Sequence, residues 1–197
     1  MTMPHATLTI IRDEHQALAA MLRSLGMLLA EHRRKGVPPD FAVLRAMLLY
    51  VDEFPEKLHH TKESELLFPM LRSRSAEAAD VLDKLDHDHA QGEKAIRDLE
   101  HDLLAYEVLG GDRAASFEKS VNRYIDFYLA HMGVEESQVL PLAQRVLTDA
   151  DWTELDAAFM KNRDPLTGHQ PDDVYRPLFS RIVMTAPAPI GLGPALQ

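Results

Sequence analysis

An eleven-residue pattern occurs twice in this chain, at residues 59–69 and at residues 131–141. In each copy a histidine comes first, a glutamate follows four residues later, and a proline ends the pattern. Residues four apart lie on one face of an α-helix, about 6 Å apart along its axis, so each copy directs an imidazole and a carboxylate to one point. Two such helices facing each other would form a metal site.

The hydrophobic pattern predicts helices that could present these motifs. Apolar residues recur at alternating steps of three and four, which is typical of helices in a bundle. The helical segments are residues 5–35, 40–73, 75–109 and 113–147. Short connections make consecutive helices antiparallel, so we predict an all-α, up-down-up-down four-helix bundle. Pro55 interrupts the second helix shortly before His59, and we expect a kink or a π-bulge there.

The first and third helices each carry one histidine, His15 and His89, at a step that neighbouring positions fill with apolar residues. A lone histidine in such a stripe is more often a core residue with one hydrogen bond than a ligand. A single His-x-x-x-Glu is likewise usually a surface pair. Repetition across both helical hairpins favours the metal site, because unpaired carboxylates at core positions would cost several kcal/mol.

The predicted site therefore combines four imidazoles with two carboxylates. Its residues are His15, His59, Glu63, His89, His131 and Glu135. The chain has no cysteine, and imidazole with carboxylate suits iron, manganese or zinc. The donors are few for two separate closed sites but sufficient for one dinuclear site with both glutamates bridging. An open position on such a metal pair would admit a small diatomic molecule or peroxide.

Composition limits the other functions. The net charge of −10 argues against non-specific binding to nucleic acid. No apolar run reaches the length of a membrane span and no signal pattern is present, so we expect a cytoplasmic protein without a membrane partner.

The chain of 197 residues suggests one main domain followed by accessory segments. We predict a bundle over residues 1–147, a short fifth helix over 148–163, and an extended proline-rich tail over 164–197. In the tail there is room for helix only near residues 172–184. The tail is expected to lie over the bundle or over a partner subunit, so a homodimer through it is an open alternative.

Over about residues 5–147 the chain resembles the hemerythrin-like family, which has His-His-Glu cation-binding domains. The likeness is carried by Asp13-Glu14-His15, the run from His59 to Pro69, Asp88-His89, and His131-x-x-x-Glu135-Glu136. It implies a non-haem centre of two iron ions with an oxo, hydroxo or water bridge. Oxygen-carrying members have a fifth histidine where this chain has Glu93, and a His-x-x-x-x-Asp pair in the fourth helix. These departures argue against oxygen carriage of that kind.

Several neighbouring residues allow more than one interpretation. Glu93 is either a seventh ligand or a surface glutamate, and Tyr128 either a core residue or a group that reaches the site. We interpret His60, whose partner at the same spacing is Ser64, as a supporting or surface residue. Glu56, three residues before His59, imitates a ferritin-like motif without a second copy, and we interpret it as coincidence.

Three functions follow. The first is a non-enzymatic di-iron protein that binds or senses oxygen, nitric oxide or redox state. The second is an enzyme on the same centre that reduces peroxide or nitric oxide, or that aids iron-centre repair. The third is an iron-storing or metal-free helical interaction module. The sequence leaves open whether the protein is an enzyme.

Overall fold

The structure is a computed structural model that describes residues 5–188 and 190–193. Within these ranges all regular structure is helical, which confirms the all-α prediction. The α-helices are α1 (Ala6–Lys35), α2 (Phe41–Val51), α3 (Phe68–Arg74), α4 (Ala79–Leu109), α5 (Ala114–Val134), α6 (Leu140–Val146), α7 (Asp149–Phe159) and α8 (Arg176–Thr185). Three π-helices are π1 (Asp52–His60), π2 (Glu63–Leu67) and π3 (Glu135–Val139). Short 3₁₀ turns cover Ala76–Ala78, Gly111–Arg113 and Pro165–Thr167.

The π-helices join shorter α-helices into long continuous runs. Residues 41–74 pass from α2 through π1 and π2 into α3, and residues 114–146 pass from α5 through π3 into α6. The predicted irregularity at Pro55 is confirmed, since this proline lies inside π1. The other two π-helices begin at Glu63 and at Glu135, and each ends two residues before the proline that closes its copy of the motif, Pro69 or Pro141.

The long helices pack in a ring. Helix α1 contacts α5, α5 contacts α4, α4 contacts α2, and α2 contacts α1. The chain reverses between α1 and α2 because Gly36 adopts a left-handed conformation (φ 65°) and its N–H caps the Arg33 carbonyl. Asp40 then caps α2 by accepting hydrogen bonds from the N–H groups of Ala42 and Val43.

Two apolar clusters fill the bundle and leave a polar layer between them. One cluster includes Leu8, Ile11 and Phe68, and the other includes Leu18 and Met21. Along α1 the change from one cluster to the other falls at His15, which is itself buried. The polar layer is thus sealed above and below by hydrocarbon.

The fifth helix and the tail lie against the bundle. Helix α7 occupies the segment in which a fifth helix was predicted, and its start is fixed by a capping box between Thr148 and Asp151. The tail contains α8, close to the segment left open for helix, and α8 packs on α2. The tail residues 189 and 194–197, like residues 1–4 of the predicted bundle, lie outside the described residues. The domain boundaries at 147 and 163 stay a prediction.

Across the described ranges, no helix combines the length and the apolar character needed to cross a membrane.

Candidate metal centre

The six predicted site residues come together in the polar layer, and each is less than a tenth exposed. They reach it from six helical segments. His15 lies on α1, His59 on π1, Glu63 on π2, His89 on α4, and His131 on α5 with Glu135 directly after it at the start of π3.

The four imidazoles form two pairs. The ring centroids of His15 and His59 are 5.0 Å apart. Those of His89 and His131 are 4.7 Å apart, and their Nε2 atoms approach to 3.0 Å. This spacing is what two ligands of one metal ion show when they occupy neighbouring coordination positions. The geometry thus offers two metal positions, one beside each pair.

Glu63 connects the two pairs. Its Oε1 lies 3.2 Å from His59 Nε2, and its Oε2 lies 3.5 Å from His89 Nε2. One carboxylate oxygen therefore faces each metal position, which is the arrangement of a bridging carboxylate.

Glu135 connects the same pairs from the other side. Its Oε2 lies 3.2 Å from His15 Nε2, and its Oε1 lies 3.3 Å from His131 Nε2 and 3.8 Å from His89 Nε2. The two glutamates thus stand in equivalent roles, as the repeated sequence pattern predicts.

Each of the four imidazoles is held from behind through Nδ1. The partners are Glu136 Oε1 for His15 (3.0 Å), Glu14 Oε2 for His59 (2.7 Å), Ser64 Oγ for His89 (2.8 Å) and Asp88 Oδ2 for His131 (3.5 Å). The carboxylates accept, so Nδ1 carries the proton. Ser64 Oγ donates to Asp86 and therefore also accepts from His89. Each Nε2 is left with its lone pair directed into the centre, as metal binding requires.

Several buried polar atoms of the centre have no hydrogen-bond partner among residues 5–188 and 190–193. They are both carboxylate oxygens of Glu63, both of Glu135, and Nε2 of His15, His59 and His60. A buried carboxylate without donors costs several kcal/mol. Metal ions between the two imidazole pairs would satisfy these atoms together, so the residues present fit a dinuclear metal centre.

The glutamates also draw positive charge into the cluster. Burial alone lowers the pKa of His59, but Glu63 and Glu14 outweigh it and hold the pKa well above its ordinary value. Burial raises the pKa of Glu135, yet His131 and His15 hold it well below its ordinary value. Protons or metal ions can supply this positive charge, so metal binding and protonation compete here.

Two residues set aside by the sequence interpretation belong to this centre. His60 is buried, and its ring stacks on His89 with centroids 4.5 Å apart. Its Nδ1 lies 3.1 Å from Glu56 Oε2, so Glu56 supports His60 rather than pairing with His59 as the ferritin-like spacing would suggest. The signal that could have found them is the π-bulge expected at Pro55, because a π-helix changes which residues share a face.

The two open alternatives are resolved by position. Glu93 is a surface glutamate, about half exposed, that pairs with Arg97. Tyr128 is fully buried, and its hydroxyl donates to Glu56 Oε1 at 2.6 Å rather than to one of the six predicted ligands.

The segment after α7 closes one side of the centre. Asn162 is buried and donates through Nδ2 to Glu14 Oε2 at 2.8 Å, the same oxygen that holds His59. Next to it lies a cavity of about 10 Å³, lined by His15, His59 and Phe54 among others. That volume is close to the minimum for one water molecule.

The fold and this cluster define a class of all-helical protein with a buried histidine–glutamate cation site. The family model described as hemerythrin HHE cation binding domain matches residues 6–143. The chain therefore belongs to the hemerythrin HHE family, and the resemblance found from the sequence is confirmed. No curated relative matches the chain. Family and cluster together fit a metal-binding protein.

Proposed function

We propose that the protein is a non-haem di-iron protein that binds or senses oxygen, nitric oxide or redox state. The observation that carries the proposal is the pair of glutamates, each reaching from one imidazole pair to the other with oxygens that lack hydrogen-bond partners in the described part of the chain. In this proposal the long helices form the up-down-up-down four-helix bundle predicted from the sequence.

The ligands divide by pair. His15 and His59 would hold one ion, His89 and His131 would hold the other, and Glu63 and Glu135 would offer one oxygen to each; an oxo or hydroxo group or a water would complete the centre. The donor set alone suits iron, manganese and zinc. Iron is preferred to zinc because an open position on a redox-active metal serves a diatomic ligand or peroxide, and iron is the metal that the family resemblance implies. When bound, an iron pair supplies open coordination positions and one-electron changes.

The remaining residues of the site orient the imidazole ligands and keep bulk water away from them. Glu14, Glu136, Asp88 and Ser64 fix the imidazole tautomers, and such supporting contacts are typically worth 10–100-fold in metal affinity. The apolar clusters on both sides keep bulk water out, so a ligand must be small to enter. These features support gas or peroxide binding over larger substrates.

An enzyme that reduces peroxide or nitric oxide is the second candidate. It is favoured by the hydrogen-bonded chain from His60 through Glu56 to Tyr124 and Tyr128, which leads away from the centre and could move a proton. Steady turnover with a reductant would support the enzyme, whereas a single stoichiometric event would support binding or sensing.

The third candidate, a metal-free interaction module, is disfavoured because it leaves two buried carboxylates uncompensated. As partners we propose only the small ligand, and a homodimer through the tail as an addition; the acidic charge supports neither nucleic acid nor an anionic membrane. A cytoplasmic location is likewise part of the proposal.

The test is metal analysis combined with an absorption spectrum. Aerobically purified protein should contain about two irons per chain with an oxo-bridge absorption band, and the band should change with reductant, oxygen or nitric oxide. His15→Ala and Glu63→Ala should lower the iron content. His87→Ala, a change of an exposed histidine on α4, should leave it unchanged. Full occupancy by zinc alone, without response to either gas, would refute the proposal.

A further inference from the structure

We propose that His60 is a fifth imidazole ligand of the centre, bound to the same metal ion as His89 and His131, and that Glu56 positions it. The proposal rests on the proposed function for the presence of metal. It goes further by naming a ligand outside the repeated motif and by making the two metal positions unequal.

His60 has the two-ended arrangement of the four motif histidines. Its Nδ1 meets a buried carboxylate, Glu56, at 3.1 Å. Its Nε2 is buried and has no hydrogen-bond partner within the described residues. His59 has the same arrangement, because its Nδ1 contacts Glu14 and its buried Nε2 has no hydrogen-bond partner within the described residues. If His60 had only a structural role, its buried Nε2 would stay without a hydrogen bond, which would destabilise the folded state.

The position of His60 agrees with ligation. Ligand atoms of His60, Glu63, His89 and His131 all lie within 4.8 Å of one another. Atoms bound to one ion at about 2.1 Å can be no more than about 4.2 Å apart, so small side-chain shifts complete this group around a single ion.

Glu56 is built to hold His60 in one orientation. Tyr124 and Tyr128 both donate to its Oε1 at 2.6 Å, which leaves Oε2 for His60. Both hydroxyls are committed as donors to Glu56, so the free carboxylate oxygen selects the His60 tautomer with a proton on Nδ1. The lone pair of Nε2 then faces the centre.

Space for this support comes from Gly92. A Cβ at this position would lie 1.6 Å from the Tyr128 hydroxyl oxygen, so only glycine lets that hydroxyl reach Glu56. Residues of π1, α4 and α5 thus support the imidazole of His60, which lies outside the repeated His-x-x-x-Glu motif.

A fifth imidazole makes the two ions unequal. With His60 added, the ion beside His89 and His131 would have three imidazole ligands, whereas the ion beside His15 and His59 would have two. The ion beside His15 and His59 would therefore be the more open of the two.

The experiment compares metal retention by wild type, His60→Asn and Glu56→Gln under chelator competition after iron loading. Asparagine keeps a donor for Glu56 but has no ligand atom at the position of Nε2. We expect one of the two irons in His60→Asn to be held at least tenfold more weakly, with a changed absorption spectrum. Glu56→Gln should show a smaller loss in the same ion, and His87→Ala should match wild type.

Two results would overturn the proposal. One is a folded His60→Asn protein that holds both irons with wild-type affinity and spectrum. The other is an anomalous-diffraction structure of iron-loaded wild type in which His60 Nε2 lies more than about 3 Å from both ions, whereas a ligand would lie roughly 2.1 Å from one of them. This measurement does not depend on the folding of a variant. Wild-type protein that binds no metal would instead refute the proposed function itself.

Discussion

At the scale of single residues, the tight contact between Gly92 and Tyr128 links packing to the metal centre. Gly92→Ala places a Cβ on the Tyr128 hydroxyl, so the tyrosine must move and its hydrogen bond to Glu56 is strained or lost. We expect the free energy of unfolding to fall by about 1–3 kcal/mol. Urea denaturation measures this change.

The matched control is Gly133→Ala. Gly133 also lies in a helix, and a Cβ there meets nothing within 4 Å. Because alanine has the higher helix propensity, this variant should be more stable than wild type by up to about 1 kcal/mol. If both substitutions changed the free energy of unfolding equally, the contact between Gly92 and Tyr128 would not contribute to stability.

Asp164 predicts a pH dependence of stability. Burial raises its pKa to about 6, although Tyr50 and the Leu166 N–H donate to it, and nearby Glu14 adds to the rise while His59 opposes it. The folded state therefore holds the proton more tightly than the unfolded chain. Its stabilising effect is complete below about pH 4 and is lost as the pH rises through about 6.

Replacing Asp164 by asparagine removes this titration. Relative to wild type, Asp164→Asn should gain about 1 kcal/mol of unfolding free energy between pH 5 and pH 8. Urea denaturation of chelator-treated protein at both pH values measures the difference without competition from metal. A constant difference between variant and wild type at the two pH values would contradict the assignment.

Residue spacing predicted the six motif residues because two of them stand four apart on each motif helix and the others fall on the apolar stripes. The same reasoning left His60 between a supporting and a surface role and did not connect it with Glu56. It assigned faces with the α-helical period, and π1 changes that period over nine residues. Sequence alone also does not say which polar group a buried hydroxyl will meet, as Tyr124 meets Glu56.

At the scale of elements, the π-helices determine how the ligands face the centre. Glu63 and Glu135 each stand at the first position of a π-helix. Pro55 predicted the irregularity that the structure shows as π1, because proline removes a backbone hydrogen-bond donor. The two others each end two residues before a proline, Pro69 or Pro141, which likewise lacks a backbone donor. The sequence interpretation did not use these prolines and so did not predict the two π-helices.

Helix α8 is the second element whose role the sequence left open. Phe179 on α8 is buried against Tyr50 and Phe54, with ring centroids 5.8 and 5.4 Å apart. Phe179→Ala should lower the unfolding free energy by about 3–5 kcal/mol, since it leaves a cavity at an aromatic cluster.

Iron content separates this structural role from a functional one. The aromatic neighbours of Phe179, Tyr50 and Phe54, are not proposed ligands, so folded Phe179→Ala protein should still bind two irons per chain. Loss of iron binding without loss of helical content would contradict that separation and would favour a site built around the tail.

At the scale of the whole molecule, bundle and centre stabilise each other. The buried carboxylates destabilise the fold unless a cation compensates them, and a ligand that binds only the folded state adds RT ln(1 + [L]/Kd) to its stability. Removing metal with a chelator should therefore lower Tm by about 5–10 °C, for a free ion concentration near 100 times Kd. Thermal unfolding of loaded and stripped protein measures this shift, and equal Tm values would contradict it.

The all-helical architecture was predictable at this scale because long 3–4 apolar stripes allow few alternatives. The docking of α7 and Asn162 over Glu14 was not, since it depends on contacts between residues about 150 positions apart. Such contacts have no local signature in one sequence.

The most direct test of the central claim is the iron content of the purified, iron-loaded chain, determined together with its protein concentration. Two imidazole pairs joined by Glu63 and Glu135 predict about two irons per chain in wild type, and a marked loss when both glutamates are replaced by alanine. A wild-type protein that holds no iron, or a double variant that holds as much as wild type, would contradict it.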